Sequence, residues 1–152
     1  MQILPTRDGW LYLAVLLDLF SRRVVGWSTS DTIDTELALQ ALHMAVRTRL
    51  PVAGLIHHTD RDCRYASDDY QAALRQHELV TSMSGRADCW DNAVAESFFA
   101  TLEKELLDAG PLQSRAATRR AIAEYIENYY NTARRHSHLE YRTPIEHEMI
   151  AN

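Results

Sequence analysis

Trp10–Phe20, WLYLAVLLDLF, is hydrophobic at nine of its eleven positions, Tyr12 and Asp18 being the exceptions. A strand this uniformly apolar is buried on both faces, and such strands need helices above and below the sheet, so the class is α/β. Upstream, Arg7-Asp8-Gly9 supplies a hairpin turn, since Asp-Gly accepts the positive φ of a tight connection, and Met1–Thr6 reads as the preceding strand. Downstream, Ser21-Arg22-Arg23 turns the chain into Val24–Ser28, so three antiparallel strands open the fold.

Thr35–Arg49 then changes period. Apolar residues fall at Leu37, Leu39, Ala41, Leu42, Ala45 and Val46, a helical spacing, with Asp34 or Thr35 as N-cap and Pro51 and Gly54 as the stop. Leu55–His58 follows as a buried strand, and the strand–helix–strand order favours a parallel neighbour. Ser67–His77 reads as a helix capped by Ser67 or Asp68, and Leu79–Ser82 as a short last strand. Ser84–Asp88 is a polar loop, after which a helix runs from about Asn92 to Leu107 and stops at Gly110-Pro111. Ser114–Tyr130 forms another helix with Ala117, Ala121, Ile122, Tyr125, Ile126 and Tyr129 inside, and a short helix follows Pro144.

The 152 residues suit one domain, and 46% hydrophobic with 24% charged residues is an ordinary globular balance. A net charge of −5 argues against a broadly basic nucleic-acid binder. Cys63 and Cys89 are too few for a disulfide scaffold, which points to a reduced, cytoplasmic compartment. No apolar run approaches the roughly 20 residues of a membrane helix, and no secretory pattern opens the chain.

Two acids stand out against this frame. Asp60 ends the apolar run LIHHTD, at the carboxyl end of a strand where open α/β sheets build their sites. Glu96 lies on the first turns of the helix in CWDNAVAESFF, with thirty-five residues between it and Asp60 and with Asn92 four residues earlier on the same face. An acid closing a strand and an acid on a later helix is the pattern with which phosphoryl-transferring enzymes hold divalent metals, and Mg²⁺ takes such oxygen ligands. His57 and His58 are adjacent on a strand and point to opposite faces, which prevents simple chelation by both.

HHTDR, DCWDNAVAESFF and YNTARRHSHLEYRTP, in this order, resemble the transposases of the insertion-sequence-three type, bacterial mobile-element enzymes with a retroviral-integrase-like core; GWLYLAVLLDLFSRRVVGW resembles that core's opening hairpin. The resemblance implies a ribonuclease-H-like mixed five-stranded sheet flanked by helices, with residues 1–110 as the core and 111–152 as a C-terminal helical extension. It also implies an Asp-Asp-Glu triad holding two Mg²⁺ ions, with Mn²⁺ as substitute. Asp60 and Glu96 match its second and third members.

The family's first acid falls one residue before Met1, in a segment of the type D-I-T-Y-I-P-T-R, so the resemblance predicts impaired catalysis for this chain. Asp62 also stands where the family usually has glycine, and Cys63 and Arg64 where it has small or amide residues. Asp18 is a candidate substitute or supporting acid, because a tight hairpin sets its strand partner near the missing residue. Asn92 is a candidate for orienting a bound water or phosphate. Arg86, Trp90, Arg134, Arg135 and His136 are candidate DNA contacts, the basic ones to phosphate. The implied partners are DNA, as mobile-element ends and target, and further copies of this chain or of a complete transposase. The alternative is a non-catalytic module that binds DNA or multimerises; a nuclease of RNA/DNA hybrids shares the implied fold but not these motifs.

Overall fold

The structure is a computed structural model that describes residues 1–60, 62–83, 93–108 and 110–151. Its strands are β1 (Gln2–Thr6), β2 (Gly9–Leu17), β3 (Val24–Ser30), β4 (Ile56–Thr59) and β5 (Val80–Met83). Its α-helices are α1 (Thr35–Arg49), α2 (Cys63–Ala66), α3 (Asp68–Gln76), α4 (Ala93–Leu102), α5 (Arg115–Tyr125) and α6 (Pro144–Ala151). Wider π-helical turns extend α4 over Glu103–Leu107 and α5 over Ile126–Tyr130. No described helix is long and apolar enough to cross a membrane.

β1, β2 and β3 form an antiparallel sheet in the order expected. The β1–β2 hairpin closes with Thr6 opposite Gly9, whose φ of +118° only glycine adopts easily. β2 ends at Leu17, three residues before the apolar run does. Asp18 accepts hydrogen bonds from the amides of Phe20 (2.8 Å) and Ser21 (3.2 Å), folding the chain into a side-chain-stabilised turn that leaves Leu19 and Phe20 exposed.

β4 and β5 pair in parallel, with Ile56 opposite Val80. They make a second, two-stranded sheet, so the five strands are divided three and two among the described residues. β1 pairs with β2 from Gln2 opposite Leu13 to Thr6 opposite Gly9, and among the described residues no pairing joins it to β4.

Helix α1 spans the residues its periodicity marks. Asp34 accepts from the Leu37 amide at 3.0 Å, and Leu50 ends the helix in a left-handed conformation, φ +45°. The helix covers the β2 face that carries Ala14 and Leu16, while α4 and α5 cover the other, where Leu4, Leu11, Leu13, Phe98, Leu102, Ile122 and Ile126 form the largest core cluster. The C-terminal helices therefore share a core with the first sheet.

The π turn after α5 changes which tyrosine is inside. The Asn131 amide bonds back to the Ile126 carbonyl at 3.1 Å, five residues earlier, and the extra residue turns Tyr129 outward, 43% exposed, while Tyr130 is buried. The same register aims buried Asn131 at β3, where its side chain accepts from the Val24 amide (3.0 Å) and donates to the Val24 carbonyl (3.1 Å). Asn131→Leu keeps the branched shape, with larger methyl groups, and strands both backbone groups, so we expect it to cost about 2–4 kcal/mol in urea unfolding. A loss under about 0.5 kcal/mol would show that water replaces the bonds.

Candidate active site

β4 delivers Asp60 at its carboxyl end, and the chain turns at once: the Asp62 amide donates to Asp60 Oδ1 at 2.9 Å. Asp62 in turn caps α2, accepting from the Arg64 amide at 2.9 Å and pairing with the Arg64 guanidinium. Short helix α2, unmarked by any apolar period, carries buried Tyr65 against Tyr70. Burial, together with the Asp60 and Asp62 carboxylates, pushes the Tyr65 hydroxyl far above the usual tyrosine range.

Helix α4 buries Phe98, Phe99 and Leu102 and leaves Glu96 exposed on its opposite side. Asp60 and Glu96 line one open cavity of about 380 Å³, with Met1, Gln2, Ala100 and Glu103 among its other walls. The two acids picked out from the sequence thus face a common space, brought there by a strand end and a helix face. Glu103, seven residues after Glu96 on the same helical face, is a third carboxylate on this wall. Its partner is the Gln2 side-chain amide, which donates to it. The sequence reading missed Glu103; the 96–100–103 helical spacing is the signal that could have found it.

The β1–β2 register decides where Asp18 sits relative to this cavity. With Gln2 opposite Leu13, Met1 falls opposite Ala14 and the preceding position opposite Val15, not Asp18. Asp18 lies three residues further along, in the turn after β2, where its carboxylate pairs with the Arg49 guanidinium. Arg49 also reaches Glu148 at 2.8 Å, so the Asp18 group ties α1 to α6. Both Asp18 and Asp60 border a larger apolar cleft between β2 and β4.

Arg134 is held by Glu105 at 2.9 Å and Arg135 by the Tyr141 carbonyl at 3.1 Å; His136 packs edge-on against Tyr130, 4.9 Å between centroids. None of the three lines the cavity of Asp60 and Glu96. Burial and the neighbouring Arg134 charge lower the His136 pKa. Arg86, Cys89, Trp90, Asn92 and the loop Ser84–Asp88 lie outside the described residues.

His57 and His58 part as adjacent strand residues do. His57 Nε2 meets the Tyr70 hydroxyl at 2.8 Å, and His58 Nδ1 meets Ser82 Oγ at 3.1 Å on the neighbouring strand. Burial, aided by His58, pushes the His57 pKa down to about 4. A histidine depressed in the fold titrates at 6.5 when unfolded, so its contribution is complete above pH 6.5 and is lost as pH falls toward 4. We expect the folded chain to lose about 2 kcal/mol from this group between pH 7 and pH 5. Urea midpoints at the two pH values should converge in His57→Gln, and an unchanged pH slope in that variant would remove His57 as the source.

Among the described residues no three His, Cys, Asp or Glu side chains converge closely enough to cage an ion. Two carboxylates facing one cavity nevertheless suit a single Mg²⁺, which commonly takes one or two protein carboxylates and keeps several waters. The donor set fits one such ion; a second needs a bridging acid.

Two matches to the same family, the integrase core domain, cover residues 2–89 and 77–144. The chain is 43% identical over 148 residues to the transposase for insertion sequence element IS904 of Lactococcus lactis, covering 97% of this chain and 58% of that protein. It is 48% identical over 134 residues to the transposase InsF for insertion sequence IS3A of Escherichia coli, covering 88% of this chain and 46% of the relative. The chain thus spans about half the length of these curated relatives. Among solved structures, the HTLV-2 integrase catalytic core domain in complex with magnesium superposes with a TM-score of 0.67 at 18% identity, over 95% of this chain and 89% of that one. A simian T-cell lymphotropic virus intasome chain gives 0.74 at 17% identity, over 95% and 50%. At such identities the likeness concerns the fold, and it is the ribonuclease-H-like fold of an integrase core.

Proposed function

The chain belongs to the integrase core domain family, and from that premise we propose that it is the catalytic core of a transposase, acting on DNA phosphodiesters with Asp60 and Glu96 as its acids. The observation that carries this reading is their convergence on one cavity from β4 and α4. Asp60 is held in orientation by the Asp62 amide, and Glu96 stands on a helix anchored by its phenylalanines. Together they would hold one Mg²⁺ or Mn²⁺, which when bound would supply Lewis-acid activation of a phosphate ester. The chain's own contribution is to fix two oxygen donors at an open, solvent-facing site wide enough for a backbone phosphate. Its partners are mobile-element ends, target DNA and further transposase copies.

A second reading is a module that binds DNA and other transposase copies without cutting; it is favoured by Glu103, the third carboxylate on the cavity wall, being engaged by the Gln2 side-chain amide. One experiment separates the two: purified chain is incubated with supercoiled DNA carrying mobile-element ends, in Mg²⁺, in Mn²⁺ and in EDTA. Metal-dependent nicking lost in Asp60→Asn and in Glu96→Gln supports catalysis, even if slow. DNA binding by filter retention with no nicking supports the module, and failure both to bind and to nick overturns both.

A further inference from the structure

From Arg134 to Arg142 the chain carries three arginines and two histidines against one acid, Glu140, in a protein of net charge −5. None of these residues lines the cavity of Asp60 and Glu96 or the apolar cleft beside it. The segment sorts them into two sets. Inward, Leu139 is 2% exposed, His136 lies edge-on against Tyr130, and Arg134 is spent on Glu105. Outward, Arg135, His138 and Tyr141 are exposed, with Arg142 half-buried beside them. Arg134 and His136 are therefore anchors, and the display falls to their neighbours.

The turn that makes this display is strained. Glu140 and Tyr141 are both left-handed, φ +55° and +60°, a conformation that a bulky side chain rarely adopts. Backbone bonds hold it: the Tyr141 amide donates to the His136 carbonyl at 2.9 Å, the Arg142 amide to Leu139 at 3.1 Å, and the His136 amide to Arg142 at 3.1 Å. The strain brings Tyr141 no burial, since it stays 67% exposed. Its effect is to fix Tyr141 outward with the Arg135 guanidinium bonded to its carbonyl at 3.1 Å. The nearby acids are engaged, Glu140 with Arg142 at 2.6 Å and Glu146 with the Thr143 amide at 2.8 Å. Arg22, in the turn before β3, carries further positive charge into this neighbourhood.

We propose that this segment is a second DNA-contact surface, separate from the Asp60–Glu96 cavity, on which Arg135, His138, Arg142 and the Tyr141 hydroxyl grip the phosphates of duplex DNA without reading its sequence. It rests on the reading of the chain as acting on DNA and names where the duplex is held. Arg135 forms no ion pair among the described residues and keeps its other guanidinium donors for a ligand. The Arg142–Glu140 pair is exposed, and such pairs are worth little, so a phosphate can take the place of Glu140. Contacts of this kind set position and supply salt-dependent affinity. A local cationic face also gives an acidic chain a way to approach a polyanion.

The test titrates the 152-residue chain into a short fluorescein-labelled duplex of arbitrary sequence, in EDTA so that cleavage does not enter, at about 50–200 mM salt. Arg135→Ala/Arg142→Ala should bind at least ~10-fold more weakly, with a log–log salt slope shallower by about 2, one for each lost phosphate contact. Arg135→Lys/Arg142→Lys keeps both charges and should restore most of that slope. Arg47→Ala/Arg75→Ala removes the same charge from exposed positions on α1 and α3 and should bind as the parent does. Equal weakening by the two alanine pairs would make the effect one of net charge, and a lysine pair as weak as the alanine pair would make it one of structure; either overturns the proposal. A slope untouched in Arg135→Ala/Arg142→Ala overturns it while leaving DNA binding elsewhere intact, whereas a parent that binds no duplex overturns it together with the reading on which it rests. Self-association in sedimentation, lost in Arg135→Ala/Arg142→Ala while DNA binding persists, would assign the face to a second copy and also overturn it.

Discussion

Gly26→Ala should leave little folded protein. A Cβ built at Gly26 would stand 2.2 Å from the Ala41 carbonyl oxygen, 2.8 Å from Ala45 Cβ and 2.9 Å from the Ala45 amide nitrogen. Two of these three atoms are backbone, so no side-chain rotation relieves the clash. β3 and α1 would have to separate along a contact that also buries Leu37 and Ala41 against β2. Overpacking usually costs about 1–3 kcal/mol where side chains can adjust. Here we expect about 3 kcal/mol or more, a large part of the ~5–15 kcal/mol that holds a domain together. Gly54→Ala is the matched control. Gly54 has φ +86° with nothing within 4 Å of its added Cβ, so only local backbone strain of about 1 kcal/mol is expected there. Urea unfolding followed by circular dichroism measures both. Gly26→Ala within 1 kcal/mol of the parent would mean that β3 and α1 are not packed as closely as described.

The contrast between these glycines also shows which features a sequence carries. Gly9 announces itself through the Asp-Gly turn, a purely local signal. Gly26 sits in a strand, and nothing local says that a helix backbone crosses it. Likewise α1 could be bounded from its sequence because the Asp34 cap and the stop at Pro51 and Gly54 act within a few residues. The end of β2 was misjudged because apolar character continued through Leu19 and Phe20, while one carboxylate, Asp18, had already turned the chain. Tyr129 was placed inside by a 3.6-residue period that the π turn breaks one residue earlier. The β1–β2 pairing, with Gln2 opposite Leu13, is written in neither strand alone. That same register moves Asp18 away from its expected neighbour. At the site, Asp60 and Glu96 were legible because each is an acid at a strand end or a helix face, within motifs that bear a family resemblance. Glu103 was not, since an acid seven residues along a helix is ordinary until Gln2 and the cavity are seen beside it.

Asp60→Asn and Glu96→Gln should each lower metal-dependent nicking at least ~100-fold, with the double variant no worse than either single one. The two acids come from distant chain segments but face one cavity, and under the proposed function they would supply charge to one ion. When either loses its charge, the remaining carboxylate holds the ion poorly, so the second substitution has little left to remove. Independent roles would instead multiply, giving a double variant about 10⁴-fold down. The amide replacements keep size and hydrogen bonding; Asp60→Asn still offers an oxygen to the Asp62 amide, so the turn before α2 should persist. Calorimetric titration with Mg²⁺ should show affinity falling at least tenfold in each single variant. DNA retention in EDTA should hold or improve, because one fewer negative charge faces the phosphates. That pairing of weaker metal binding with undiminished DNA binding is specific to carboxylates acting through an ion. Parallel losses of metal and DNA binding would point to damaged structure instead, and multiplicative losses in nicking would separate Asp60 and Glu96 into different sites.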